Sequence, residues 1–309
     1  MTLTLLGPQR PKATIGDAVH AVTEAGDTVA VISAGWQEAE GDIEELDALI
    51  DRPLVDLSLY ERSNSLLNAD APLREAHQRR QAKLRTLQRL YRLRLAHLMR
   101  AAVDVLEFED DDELLKLEQR HAITQLRALD RHHLERIRAA HNLYESELRD
   151  TPSDALEAQR SALREQLATS ACVVITGGNV AVLISRLRLL GLDELLADKP
   201  LVAWSAGAMA LCERVVLYHD HAPQGQRDAE IFDFGLGLVP GIVAFPAAKR
   251  RLDESLTTRL TVLSRRFAPR RCITLNNQSV LRLRDRVMTS ATKTRRVTRT
   301  GELKKVRVK

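Results

Sequence analysis

Aromatic side chains are scarce in this sequence, at 4 % of its 309 residues. The chain is basic, with a formal net charge of +4 and a pI of about 9.1. Its arginines cluster at residues 74–100 and again from Arg282 to the C-terminus. Basic clusters are compatible with nucleic-acid binding, but base stacking needs aromatic residues and a recognition motif, and neither accompanies these clusters. We therefore do not expect a nucleic acid as a partner.

Cysteines and long apolar runs are also rare. The three cysteines, Cys172, Cys212 and Cys272, stand singly in apolar segments, so we expect buried thiols rather than disulfides or a metal site. Glu118 and His121 have the Glu-x-x-His spacing of di-iron bundles, but no second copy follows, and we expect no metal and no cofactor. No apolar run approaches the roughly 20 residues of a membrane span, and the N-terminus lacks the basic lead of a secretion signal. The sequence therefore predicts a cytoplasmic protein without a membrane segment.

Short apolar runs alternate with helix-like segments in two parts of the chain. The first part, residues 1–66, contains LTLLG, TVAVIS and LVDLSLY; the second, residues 171–285, contains ACVVITGG, PLVAW and CITLNNQSVLRL. This order is typical of a mainly parallel sheet with helices on both faces, a three-layer α/β sandwich. We expect both parts to share one sheet. In the last segment, 286–309, β-branched residues flank Thr300 and Gly301, which predicts a basic β-hairpin at the sheet edge.

Residues 67–170 follow a different pattern and predict a helical insertion. Apolar residues recur there at spacings of three and four, in 84–105 and again in 122–148, with the acidic break FEDDDE between the two stripes. Such stripes indicate two antiparallel helices that bury their apolar faces against each other. Pro152 ends the second helix, and Ser153 is placed to cap a third. We expect the insertion to form the interface of a homo-oligomer.

The stretch VAWSAGAMA at 202–210 places Ser205 where a strand hands over to a helix. A nucleophilic serine at such an elbow needs small neighbours, because the chain must turn sharply and leave backbone amides free to face an oxyanion. Ala206, Gly207 and Ala208 meet this requirement.

Three segments carry a family resemblance: ITGGNVAVLISRL at 175–187, VAWSAGAMAL at 202–211 and GLGLVPGIVAFP at 235–246. Together they resemble the dipeptidase E and cyanophycinase family of serine peptidases, within the class I glutamine amidotransferase-like fold. The resemblance implies that Ser205 attacks a peptide carbonyl and that the amides of Gly178 and Ala206 form the oxyanion hole. It also implies a small peptide or acidic ligand as partner. Glutamine amidotransfer itself is not expected, because that chemistry uses a cysteine at the elbow.

The resemblance also implies a histidine base after the GLGL segment and an acid near the late strand. This sequence has Ala247 at the first position and Asn276 with Asn277 at the second. Alanine accepts no proton, and a serine without a base is a poor nucleophile near pH 7. Ordinary triad hydrolysis is therefore not expected.

Other residues offer replacements for the base. We take His219 as the candidate base; His221 is close to it in sequence, and Asp220 or Glu230 could orient either ring. Lys249 is a further candidate, although a lysine needs burial to lower its pKa. The sequence thus predicts a serine peptidase-like protein with reduced or lost activity. The alternative is a non-catalytic ligand-binding or scaffold protein that assembles through its helical insertion.

Overall fold

The structure, a computed structural model, describes residues 1–109, 113–221 and 227–308. Residues 110–112 of the acidic break and 222–226 of the loop after His221 lie outside the described residues. The strands are β1 (Thr2–Leu6), β2 (Val29–Ile32), β3 (Leu54–Asp56), β4 (Cys172–Ile175), β5 (Leu201–Trp204), β6 (Arg214–His219), β7 (Arg227–Phe234), β8 (Ile242–Pro246), β9 (Arg271–Leu275), β10 (Val280–Arg284), β11 (Val287–Thr292), β12 (Arg295–Val297) and β13 (Leu303–Lys305).

The helices are α1 (Ile15–His20), α2 (Glu44–Ile50), α3 (Leu59–Ala69), α4 (Ala71–Glu107), α5 (Glu113–Asp150), α6 (Asp154–Ala168), α7 (Val180–Leu189), α8 (Leu192–Leu195), α9 (Ala206–Leu211), α10 (Ala248–Arg251) and α11 (Thr257–Phe267). A 3₁₀ helix, Ala34–Ala39, follows β2. None of these helices is long and apolar enough to cross a membrane, within the residues that the structure describes.

A seven-stranded sheet forms the centre of the molecule, in the order β11-β10-β1-β5-β4-β2-β3. The five strands from β1 to β3 in that order are parallel, and β10 and β11 add an antiparallel hairpin at one edge. The carboxyl ends of β1, β2, β4 and β5 therefore meet at one edge of the sheet, where open α/β folds bind their ligands.

Alternate residues of each central strand face opposite layers, as the two-residue period of a strand requires. Val29 and Val31 of β2 pack with α1 and α2 on one face. Ala30 and Ile32 pack on the other face, in the cluster that holds α3, α6, α7 and the long helices. This arrangement is the predicted three-layer α/β sandwich with a mainly parallel sheet.

The expectation of one shared sheet is wrong for strands β6 to β9. Strands β6 and β7 form a separate antiparallel pair. Strands β8 and β9 pair in parallel and belong to a second sheet, in the order β13-β12-β9-β8. The turn around Thr300 and Gly301 joins β12 to β13 as an antiparallel pair, so this hairpin ends the second sheet and not the central one. Alternating apolar patterns predict strands but carry no information on which strands pair, which is why the sequence missed the division.

The helical insertion is a hairpin of α4 and α5, and its predicted apolar stripes are buried. Leu95 and Met99 of α4 and Leu126 and Ile137 of α5 are each less than 7 % exposed. The start of α4 is capped by Asp70, whose carboxylate accepts from the Leu73 amide at 2.9 Å. Both helices also pack on β7 and α11. Over these residues the hairpin is therefore part of the main core.

A buried ion pair joins the insertion to the rest of the domain. Arg266 of α11 and Asp130 of α5 are each 2 % exposed. The guanidinium donates to both carboxylate oxygens at 2.7 Å and to the Tyr91 hydroxyl at 2.6 Å. Because a buried charge needs both a counter-ion and hydrogen bonds, these contacts fix α4 and α5 against α11.

Candidate active site

The turn at Ser205 has the strained backbone of an elbow. Ser205 lies at φ 50°, ψ −113°, a region that non-glycine residues seldom adopt and that costs about 1–3 kcal/mol. The chain passes so close to β4 that a Cβ on Gly207 would lie 2.4 Å from the Ile175 carbonyl oxygen. Only glycine fits there, and this close approach lets the helix after the serine begin directly against the sheet. The Ser205 amide donates to the Leu6 carbonyl at 3.2 Å, which ties the elbow to the end of β1.

The glycine pair after β4 faces the elbow. A Cβ on Gly177 would lie 3.2 Å from the Ser205 Cβ, and one on Gly178 would lie 2.3 Å from the Gly35 carbonyl oxygen. Gly178 also has φ +103°, which favours glycine. The amides of Gly178 and Ala206 donate to no acceptor among the residues that the structure describes. Unpaired amides of this kind are what an oxyanion hole requires.

A cavity of about 390 Å³ opens in front of Ser205; we call it the serine cavity. It is lined by Pro8, Gln9, Arg10, Ile15, Trp36, Asp42, Glu45, Leu46, Leu49, Gly177, Gly178, Trp204 and Ser205. Its volume falls within the range of small-molecule sites. The rings of Trp36 and Trp204 lie 6.4 Å apart at 56° and form an aromatic wall.

The rim of the serine cavity is charged. Arg10 and Glu45 form an exposed ion pair across it, in which the hydrogen bond and the opposite charge raise the pKa of Arg10 and lower the pKa of Glu45. Exposed pairs of this kind contribute little to stability, because water and salt screen them. Arg10 can therefore exchange Glu45 for a carboxylate of a ligand at small cost.

The candidate bases lie outside the lining of the serine cavity. His219 ends β6 opposite Arg227 of β7, and its Nδ1 is buried without a hydrogen-bond partner in the described part of the chain. His221 is exposed in the following turn, and Lys249 is exposed on α10. Among the described residues that line the cavity, none is a histidine or a lysine.

The carboxylates proposed to orient a base have other partners. Asp220 accepts from the Asp253 amide at 2.9 Å and lies 3.5 Å from Arg259. Glu230 is bound by the Arg92 guanidinium, through Nη2 at 2.8 Å and through Nε. The structure thus brings Ser205, Gly178 and Ala206 together and leaves His219, Asp220 and Glu230 elsewhere.

Residues at the two positions where the resemblance implies a base and an acid take part in hydrogen bonds with the backbone. Ala247 adopts φ 55°, ψ 34°, and its amide donates to the Leu275 carbonyl at 2.9 Å. The Asn276 side chain accepts from the Lys249 amide at 2.9 Å. These are structural hydrogen bonds, and none of them can hold an imidazole for proton transfer.

Comparison with known proteins identifies the family. The model of peptidase family S51 matches residues 131–290, just over half of the chain. The chain belongs to this family. The resemblance drawn from the three segments is thereby confirmed, and the protein is serine peptidase-like. No curated protein sequence matches the chain.

Two solved structures of similar proteins cover nearly the whole chain. The crystal structure of a peptidase from an acI-B1 Actinobacterium is 11 % identical, with a TM-score of 0.48, and the alignment covers 99 % of this chain and 94 % of that one. A "Putative Peptidase E Protein" from Listeria monocytogenes EGD-e is 13 % identical, with a TM-score of 0.43, and the alignment covers 96 % and 99 %.

Sequence reasoning missed several residues that line or support the serine cavity. Arg10 follows β1, and Asn277 holds its loop by donating to the Pro8 and Lys12 carbonyls, both at 2.8 Å. Trp36 follows the TVAVIS run by two residues, and the sequence predicted no role for it. The available signal was topological, since the loops after parallel strands meet at one edge of the sheet.

Proposed function

We propose that this chain is a serine peptidase-like protein that binds a peptide ligand in the serine cavity and hydrolyses it only slowly. Ser205 is the nucleophile, and the amides of Gly178 and Ala206 stabilise the oxyanion. One observation carries the proposal: the elbow and the glycine turn keep the geometry for attack, while no described residue lining the cavity bears an imidazole or an amine. Loss of the base lowers triad catalysis by several orders of magnitude, whereas oxyanion stabilisation and binding retain about 10³–10⁴ over water.

The lining of the serine cavity supports the ligand class. Trp36, Trp204, Ile15 and Leu46 offer an apolar wall for a side chain, and Arg10 stands at the rim. A guanidinium recognises a carboxylate through two parallel hydrogen bonds. A short peptide with one apolar side chain and one carboxylate matches both features.

Labelling by a fluorophosphonate probe tests the chemistry, with Ser205→Ala as the control. Without a base, the labelling rate is expected to rise about tenfold per pH unit from about pH 6 to 9, because only the deprotonated hydroxyl reacts. A histidine base would instead give a plateau above its pKa of about 6.5. Fast labelling with such a plateau, abolished by His219→Ala, would show that His219 is the base and refute the proposal.

Tryptophan fluorescence tests binding independently of chemistry. The chain has two tryptophans, and both line the serine cavity. A dipeptide that enters the cavity is therefore expected to change the emission of the wild type and of Ser205→Ala equally, and to bind Arg10→Gln more weakly. Binding without any labelling of Ser205 would favour the non-catalytic alternative.

The helical insertion supports a second proposal, association with another copy of the chain. Leu90 and Leu93 of α4 are 52 % and 62 % exposed, and residues three apart lie on one side of a helix. Light scattering during size exclusion is expected to give a dimer for the wild type and a monomer for Leu90→Glu/Leu93→Glu. A wild-type monomer at high protein concentration would contradict the proposal.

A further inference from the structure

A second cavity, of about 600 Å³, lies between α4, α7 and β7. It shares no lining residue with the serine cavity. Its lining includes Arg80, Arg85, Arg89, Arg92, Arg188 and His141; we call it the arginine cavity. Five guanidiniums around one space create a positive potential, which raises the local concentration of anions.

The carboxylates near the arginine cavity do not balance these charges. Asp233, the one carboxylate among the described lining residues, lies 2.9 Å from His141 and 3.7 Å from Arg188. Arg85 and Arg89 are exposed and form no ion pair with any residue that the structure describes. The cavity therefore keeps an excess of positive charge.

The neighbouring carboxylate Glu230 is already occupied. It is bound by Arg92 and accepts from the Gln88 amide at 3.1 Å. Glu230 therefore neutralises the charge of Arg92 and does not compensate the other four guanidiniums of the arginine cavity.

Arg80 is a buried cation with a donor to spare. It is 5 % exposed, it stacks on the Tyr144 ring at 3.9 Å, and its Nη2 lies 3.1 Å from the His77 Nδ1. Its Nε has no hydrogen-bond partner within the described ranges, and neither has the Nδ1 of His141. Burying such a group without a partner is costly, and the Arg80 charge adds to the positive potential of the cavity that this residue lines.

We propose that the arginine cavity binds a small polyanion that carries phosphate or carboxylate groups. Guanidiniums recognise the oxygens of both groups through paired hydrogen bonds, and the volume suits a small molecule. The Ser185 hydroxyl, which accepts from Gln81 at 3.1 Å, adds a neutral donor from α7. The bound anion lies against the helix that begins directly after Gly178 and Asn179.

Calorimetric titration with pyrophosphate and with citrate tests the site. Both probes are offered to the wild type, to Arg85→Gln/Arg89→Gln, and to the matched control Arg94→Gln/Arg100→Gln, which removes the same charge from the same helix outside the cavity. We expect the cavity variant to weaken the Kd at least about tenfold, since each lost charge-assisted hydrogen bond has about that effect. The control is expected to bind as the wild type does. The tighter probe identifies the phosphate or carboxylate nature of the ligand.

Three results would overturn the proposal: neither probe binds the wild type, both variants lose affinity equally, or the cavity variant binds unchanged. Arg10→Gln separates this site from the serine cavity, because it is expected to leave anion binding unaltered. The arginine variants are expected to leave the fluorophosphonate reaction of Ser205 unaltered. Failure of one proposal therefore leaves the other standing.

Discussion

Removal of the Arg266 side chain is expected to destabilise the protein more than most single substitutions. In Arg266→Met the volume is retained, but the bonds to Asp130, to Tyr91 and to the Ala229 carbonyl, at 2.6–2.7 Å, are lost. Asp130 then remains 2 % exposed without a cation. Leaving one partner of a buried pair uncompensated costs about 3–5 kcal/mol. A domain with a total stability of about 5–15 kcal/mol would lose a large part of it.

Urea denaturation, followed by circular dichroism, measures this loss as a change in the free energy of unfolding. The control is Arg265→Met on the same helix, where the guanidinium Nε donates to the exposed Arg299 carbonyl at 3.1 Å; a cost within about 1 kcal/mol is expected there. In the double variant Arg266→Met/Asp130→Leu no buried charge is left, so most of the stability should return.

The reasoning would be refuted if Arg266→Met cost less than about 1 kcal/mol. It would also be refuted if the double variant were as unstable as the two single variants added together. Either result would mean that water reaches Asp130, or that the pair does not join the insertion to α11.

Three further predictions concern the elbow, a vacated position and a buried ring. Ala247→His places an imidazole at the position implied by the resemblance, where histidine tolerates the left-handed backbone. This variant should speed fluorophosphonate labelling of Ser205 by about 10²–10⁴. An unchanged labelling rate would show that position 247 does not reach the serine. Gly207→Ala forces a Cβ to within 2.4 Å of a backbone oxygen and should lower the free energy of unfolding by about 1–3 kcal/mol, a loss that thermal unfolding would reveal; unaltered stability would contradict the packing. Burial lowers the pKa of His133 to about 4, so the unfolded chain binds more protons below pH 6.5, and stability is lost as the pH falls from about 6.5 toward 4. His133→Gln should flatten this dependence, by at most about 1.4 kcal/mol per pH unit; equal slopes in urea titrations would contradict the assignment.

Local patterns were sufficient for the layers of the fold and for the hairpin of α4 and α5. The reason is that a strand or a helix imposes its own period on the residues that it buries. Pairing between distant strands has no such local signal, so the second sheet of β8, β9, β12 and β13 was missed. Buried ion pairs have no local signal either, because nothing in the sequence distinguishes Asp130 and Arg266 from ordinary surface charges.

The residues of the candidate site also differ in whether local sequence patterns could predict them. Ser205 and Gly178 stand in short segments whose small residues have a direct physical purpose, and the structure places them side by side. Arg10 and Trp36 reach the same cavity from the N-terminal part of the chain, and only the parallel order of β1, β2, β4 and β5 brings them there. The distance from Ser205 to His219 could not be predicted, because it depends on where the pair of β6 and β7 lies relative to the central sheet.

The contact between the two ends of the helical insertion affects the conformational entropy of the chain. The Ser153 hydroxyl donates to the Asp70 carboxylate at 2.5 Å, so the chain leaves α3 and enters α6 at nearly the same point. Ile32 and Ile175 pair in neighbouring strands although they lie about 140 residues apart in sequence. When Asp70 and Ser153 close the helical hairpin, the effective loop between Ile32 and Ile175 becomes about half as long. Each halving of a loop saves only about 0.6 kcal/mol of closure free energy. The insertion therefore lengthens the connection between two adjacent strands at almost no entropic cost to their pairing.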